Sequence, residues 1–381
     1  MNLQRRRALE EMADIRKIEA DEEARAFALD LAERSEDPLI LALCKAEEIR
    51  RSRILGQQQR AVVAGAELLP HLEALVAAER DDERWALGLI ARGLSSAVRA
   101  ALDVPEVPFA AIDALIDAVA RVLRDLGLRE LAADQLRARR YHVSGDQERV
   151  TALVEGLIPH VNYTNADRQQ LGCPGCVLST ISFYLGPTAD LGLLEEMLTP
   201  VFEGQLIYPN EDPKVLRAIR LDGGPRCPNS LGAHMHYARA LLWRGRVAEA
   251  EEHAARVTHL DLDECYLLPM IFFLEVAMAS GNEARIRGRV RLLRPRVEAH
   301  EDTQEAMLGT IRVAQALAIL GEDEADQERL WGLAEAHAAR LDGRLTAPRH
   351  RAEVVAERSG GAPIFAAPRG RPTDPQACGG V

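Results

Sequence analysis

The sequence predicts an all-α fold, a superhelical array of helical hairpins, and three observations carry that prediction. Glycines recur at one place in a helical pattern, at Gly145, Gly186, Gly245, Gly281 and Gly321, with gaps of 41, 59, 36 and 40 residues. Each closes one amphipathic segment and precedes another, and a period of about 34–45 residues with that layout signals stacked helical hairpins, a solenoid. Hydrophobic residues make up 47% of the 381 but aromatics only 4%. A core of Ala, Leu and Val suits closely packed helices better than a β-sandwich. The β-branched residues fall at helical spacing rather than in alternation, and no strand pair emerges.

The elements follow in order. Residues 2–35 are highly charged and predict one or two helices with a narrow apolar stripe, Leu9, Met12, Ile15 and Ile18. Arg5-Arg6-Arg7 is followed at once by Glu10 and Glu11, which reads as a solvated helix face rather than a membrane or nucleic-acid patch. Pro38 opens a helix through LILALCKAEEI, since proline is tolerated in the first turn. Helices at 57–78 and 82–102 come next. Pro108 begins the clearest helix: Ile112, Leu115, Ile116, Val119, Val122, Leu123 and Leu126 keep helical spacing, and Gly127 closes it. Val150, Leu153, Val154, Leu157, Ile158 and Val161 repeat the pattern.

Residues 159–230 break the regularity with eight prolines and three of the six cysteines. The long gap after Gly186 has room for a short extra hairpin at about 190–200 and 211–221, and irregular segments on a rigid scaffold are where function tends to sit. The most apolar segment, YLLPMIFFLEVAMA over 266–279, is too short to span a bilayer and contains Pro269 and Glu275, so it predicts a buried helix. From about 343 the pattern fades into a Gly-, Pro- and Arg-rich tail, expected to be disordered with a short helix near 350–358. The organisation expected is an N-terminal helical region over 1–130, repeats over 131–342 with an irregular insert at about 187–230, and the tail over 343–381.

Forty-seven Lys and Arg against 59 Asp and Glu leave a net charge of -12, which excludes the basic footprint of a nucleic-acid binder. The start, MNLQRRRALEEMADIRK, has no apolar stretch behind its charges and is not a secretory signal. The cysteines, at 44, 173, 176, 227, 265 and 378, are scattered through a long chain, as reduced thiols in a cytoplasm are. The Ala, Arg and Leu bias suggests a bacterial source.

Residues 233–258, AHMHYARALLWRGRVAEAEEHAARVT, carry small residues where two helices would cross, at Ala238, Ala240 and Ala250, with Gly245 between the helices. Larger side chains there would push the helices apart. This segment resembles a tetratricopeptide repeat, although His234 stands where the motif usually opens with an aromatic and Ala254 where a bulky aromatic is common. Residues 267–300 and 307–342 are looser copies: Gly321 and Ala314 fit, while Leu274 is large for the crossing. Residues 131–161 fit through Ala138, Tyr141 and Gly145.

The resemblance implies protein or peptide binding in a concave groove lined by the first helix of each repeat. Carried over residue by residue, its groove positions are Gln135 and Arg139; Cys176, Thr180, Phe183 and Tyr184; Met235, Arg239, Leu242 and Trp243; then Glu275 and Gln315. Gln135, Arg139, Cys176, Thr180, Met235, Arg239 and Trp243 are the partner-binding candidates. An arginine there can clamp a carboxylate, and a tryptophan can supply contact area.

GCPGCVLSTISFYLG places Cys173 and Cys176 three apart at a helix start, and Cys227 follows close to His234 and His236. Two thiolates at that spacing can grip one face of a zinc tetrahedron, but a structural site needs four ligands. Cys-x-x-Cys at a helix N-terminus can also be redox-active, though the βαβ context of a thioredoxin-like enzyme is missing. The plain reading is two small half-buried residues opening a helix, free cysteine often serving as a small hydrophobe. No G-x-S-x-G, P-loop or H-E-x-x-H occurs, and the paired acids (Glu10-Glu11, Glu195-Glu196, Glu251-Glu252) sit in charged helix faces. The expectation is therefore a cytoplasmic, non-catalytic interaction or regulatory scaffold with a protein or peptide partner, and with no nucleic acid, membrane, metal or cofactor. A metal- or redox-responsive sensor built on Cys173, Cys176 and Cys227 is the alternative.

Overall fold

A computed structural model describes residues 3–76, 84–127, 130–160, 174–186, 191–203, 231–257, 267–299, 304–345 and 349–360. Among these residues the regular elements are helices and no strand occurs. The chain divides into two compact units. Unit 1 holds residues 1–172 with 302–304 and 339–349, and unit 2 holds 173–301, 305–338 and 350–381.

Unit 1 contains α1 (Leu3–Ile15), α2 (Asp21–Glu33), α3 (Pro38–Ile54), α4 (Gln58–Val76), α5 (Arg84–Asp103), α6 (Phe109–Asp125), α7 (Leu131–Ser144) and α8 (Gln147–Leu157). Its centre is α3, which packs against α2, α4 and α5 and is buried nearly all round, from Leu39 to Ser52. Small residues let these helices approach closely. A Cβ on Gly93 of α5 would lie 2.7 Å from the Cβ of Ala46 on α3, and one on Gly65 of α4 would lie 2.5 Å from that of Ala97 on α5. The period read for α6 holds: Ile112, Leu115, Ile116, Val119, Val122 and Leu123 are all buried.

The N-terminus departs from the solvated face expected of Arg5. Its guanidinium donates to Asp37 at 2.9 Å, and the Asp37 carboxylate in turn accepts from the Leu39 N–H at 3.0 Å, capping α3. Burial alone would raise the Asp37 carboxyl, but Arg5 and the helix-start N–H hold it below the usual carboxylate range. Arg6 does behave as expected, bonding Glu10 along the exposed face.

Unit 2 contains α9 (Pro174–Leu185), α10 (Leu191–Phe202), α11 (Leu231–Leu242), α12 (Val247–Ala255), α13 (Leu267–Ala279), α14 (Glu283–Ala299), most of α15 (Gln304–Ile319) and α16 (Glu324–Asp342), and α17 (Arg349–Arg358) from His350. Successive helices pack as hairpins, α11 with α12 and α13 with α14. Both turns hold a left-handed glycine, Gly245 at φ +73 and Gly281 at φ +65, but only the second adds a side-chain cap. Gly281 takes φ +65, a left-handed value open to glycine, and Asn282 then accepts from the Arg285 N–H at 3.1 Å to start the next helix. Gly145 and Asp146 make the same turn between α7 and α8.

Gly186 is different from the other glycines of the sequence pattern, because its φ is not positive. Its role is close approach: a Cβ there would lie 2.8 Å from the Ser182 carbonyl oxygen and 3.7 Å from the Trp243 ring. The hydrophobic segment of 266–279 forms α13, in which the residues from Met270 to Met278 are all buried. The short helix expected near 350–358 forms as α17, with His350 and Val354 buried. The second half of the predicted extra hairpin, 211–221, and the terminus beyond 360 lie outside the described residues. No described helix is long and apolar enough to cross a membrane.

Candidate functional site

The first helices of the unit 2 hairpins, α11, α13 and α15, are the elements the resemblance assigns to a groove. They are buried around most of their circumference: Ala233–Leu242, Met270–Met278 and most of Ala306–Leu317. The crossing alanines are fully enclosed, with Ala238, Ala240 and Ala250 at 0% exposure. Gly309 serves α15 in the same way, since a Cβ there would meet Val297 at 2.6 Å.

One charged network runs through these helices. Arg239 of α11 donates to both carboxylate oxygens of Glu275 on α13, at 2.8 and 3.0 Å. Arg312 of α15 donates to the same carboxylate at 3.0 Å. Glu275 is 1% exposed, Arg239 8% and Arg312 3%. Two arginines around one carboxylate are tolerable in the interior only because paired forks satisfy the charges. The outer end continues to α17, where Glu357 accepts from Gln315 at 2.9 Å and pairs with Arg312 at 3.3 Å. The three central residues are spaced by 36 and 37, one repeat apart.

A second cluster joins α10, α11 and α12. The ring nitrogens Nδ1 of His234 and His253 lie 3.0 Å apart, one donating and the other accepting. Phe202 stacks beside both, at centroid distances of 4.6 and 4.8 Å, and Tyr237 packs edge-on against His253. Burial, and then the neighbouring His253 and Arg256, push His234 down to about 4. His236, on the other side of α11 against Phe183, is pushed down to about 3 by burial and then by Arg239. Both imidazoles are therefore neutral at neutral pH. Among the described residues no group of three or more His, Cys, Asp or Glu side chains is placed to hold a metal.

The candidates from sequence are distributed as follows. Met235 and Arg239 are buried, at 4% and 8% exposure, so they are not on an open groove; Arg239 is turned inward by the Glu275 carboxylate. Its guanidinium also lies 5.3 Å from the half-buried Trp243 ring. Thr180 on α9 is half-buried. Gln135 and Arg139 on α7, in unit 1, are also half-buried, and Arg139 donates to Asp103 at 2.9 Å. Cys176 stands on α9, while Cys173 and Cys227 lie outside the described residues.

Sequence reasoning missed Arg312, which completes the network. The available signal was alternation of charge at the repeat period, Arg239 to Glu275 to Arg312. Cys44 carries no reactive thiol: it is buried with its sulfur 4.0 Å from that of Met12, and burial followed by nearby Glu11 pushes it up to about 12. No family model, no curated protein and no solved structure matches this chain.

Proposed function

We propose that the chain is a non-catalytic, tetratricopeptide-like repeat scaffold that binds a protein or peptide. The observation that carries this reading is the Arg239–Glu275–Arg312 network, which joins three successive first helices at spacings of 36 and 37 residues. Contacts repeating at that interval are what like hairpins stacked in register would make, and repeat proteins built so bind partners on their elongated surfaces. With Arg239 and Met235 buried, the partner-contacting residues proposed are Thr180 and Trp243 in unit 2 and, separately, Gln135 and Arg139 in unit 1. Cys176, on the same helix as Thr180, stays with them as a candidate by position alone. The sensor alternative depends on Cys173, Cys176 and Cys227, and no described side chain favours it.

Affinity capture with the intact chain, followed by identification of what co-purifies, tests the reading. A defined protein should be retained by the wild type and lost or weakened by Trp243→Ala or by Arg139→Ala, with melting temperature nearly unchanged. A chain that retains no protein, or variants that capture as well as the wild type, would overturn the scaffold or its proposed contact residues respectively.

A further inference from the structure

Unit 1 carries a recess of ≈ 120 Å3 between α1, α3 and α5. It holds more than one water, yet it is far below the roughly 300–1,000 Å3 of a site for a drug-sized ligand. A group the size of one side chain fits. The floor is apolar, made by Met12 and Leu43 with the Ala46–Gly93 crossing beneath, and Leu89 forms one side. A floor held that tightly keeps its shape, because neither helix can move closer.

The rim is charged in an uneven way. Glu47 faces the recess but is already satisfied, accepting from Arg50 at 3.1 Å and from Arg51 at 2.8 Å. Burial would raise its carboxyl, and those two arginines outweigh it and hold Glu47 ionised. Arg16 and Arg92 complete the rim, both exposed. Among the described residues neither side chain meets a carboxylate, whereas most of the described arginines do, in a chain where acids outnumber bases. Two uncommitted guanidinium forks over an apolar floor are complementary to an anion on a hydrocarbon stem.

We propose that this recess binds a carboxylate carried on a short aliphatic stem, held by Arg16 and Arg92 with the stem against Met12, Leu43 and Leu89. The carboxylate can come from a free acid or from a glutamate side chain of a peptide. The assignment is independent of the groove residues proposed above. Isothermal titration of the intact chain at low ionic strength with glutarate, with acetyl-tetraglutamate amide and with inorganic phosphate separates these sources. Glutarate or the peptide should bind, and Arg16→Gln with Arg92→Gln should weaken it about tenfold or more, as loss of charge-assisted hydrogen bonds does. Arg92→Lys should recover only part of that loss, since it keeps the charge but not the fork. Binding of glutarate alone assigns a free acid, and binding of the peptide alone assigns a protein-borne glutamate. The proposal is overturned if neither carboxylate binds, if phosphate binds more tightly than both, or if the double variant binds as the wild type does. Both arginines are exposed, so an unchanged melting temperature is expected and confirms that the variants fold.

Discussion

Two sets of helices in unit 2 use arginine–carboxylate pairs about one repeat apart and to different effect. The first helices, α11, α13 and α15, are buried nearly all round and joined by the interior Arg239–Glu275–Arg312 network. The second helices, α12, α14 and α16, bury one stripe each, such as Ile286, Val290, Leu293 and Val297 of α14. Their outer faces are also joined from repeat to repeat by the exposed pairs Arg285 with Glu251 and Arg287 with Glu322 and by the half-buried pair Arg294 with Asp326, 32 to 35 residues apart. The pairing chemistry is alike; burial is the difference. An exposed pair is screened and contributes little, whereas a buried charge must be matched or the helix cannot stay where it is.

The sharpest way to break this contrast is Glu275→Ala, which leaves two buried arginines facing each other. The expected loss is about 3–5 kcal/mol of stability in urea unfolding. Replacing all three residues with apolar ones, Arg239→Met, Glu275→Leu and Arg312→Met, should cost much less, because the only charge that loses its partner is the half-buried Glu357, which keeps the Gln315 hydrogen bond. If the single and triple variants lose equally, the network is not what holds the first helices in register.

Acid separates the two sets next. His236 and His234 on α11 have folded values of about 3 and about 4 against an ordinary 6.5. Both are lowered, so their stabilisation is complete above pH 6.5. It falls as the pH drops below 6.5, where the unfolded chain takes up protons that the folded chain refuses. At pH 5 each contributes a loss of up to about 2 kcal/mol. Melting temperatures at pH 7 and pH 5 should diverge, and His236→Leu should flatten that divergence. His253 on α12 is also lowered, by burial first and then by Arg256, but Glu195 and Glu249 oppose the shift. Its replacement should flatten the divergence less.

The smallest effect belongs to the outer pairs. Arg285→Ala should change stability by less than about 1 kcal/mol, and raised salt should erase even that. A loss comparable with that of Glu275→Ala would mean that exposure does not govern the worth of these pairs.

Much of the architecture was legible because it is local. The α6 period, the buried 266–279 segment, the enclosed alanines at 238, 240 and 250, and the turns at Gly145 and Gly281 all follow from residues within a few positions of one another. Side-chain environment was not. Arg139 and Arg239 occupy similar places in similar helices, yet one is half-buried beside Asp103 and the other is enclosed around Glu275. The deciding partner lies a whole repeat away, and propensity and periodicity carry no information at that distance. Arg5 was misread for the same reason, its partner Asp37 being 32 residues on. Gly186 looks like its fellow glycines in sequence, yet what a Cβ there would strike is the Ser182 carbonyl oxygen four residues back, at 2.8 Å, a backbone approach that periodicity does not report.

The segment 339–349 has a consequence for how the chain comes into being. Arg344 donates to the carbonyl oxygens of Ala101, Leu102 and Val104 at the end of α5, Arg340 pairs with Glu106, and Arg349 donates to the carbonyl of His142. Some 240 residues separate the donor from its acceptors. At synthesis speeds of about 5–20 residues per second, α5 leaves the ribosome on the order of ten to fifty seconds before Arg344 exists. Through that interval the Ala101 and Leu102 carbonyls lack their guanidinium donor, while that of Val104 keeps the Val107 N–H. The N-terminal helices therefore meet this clasp only after nearly all of unit 2 has been translated.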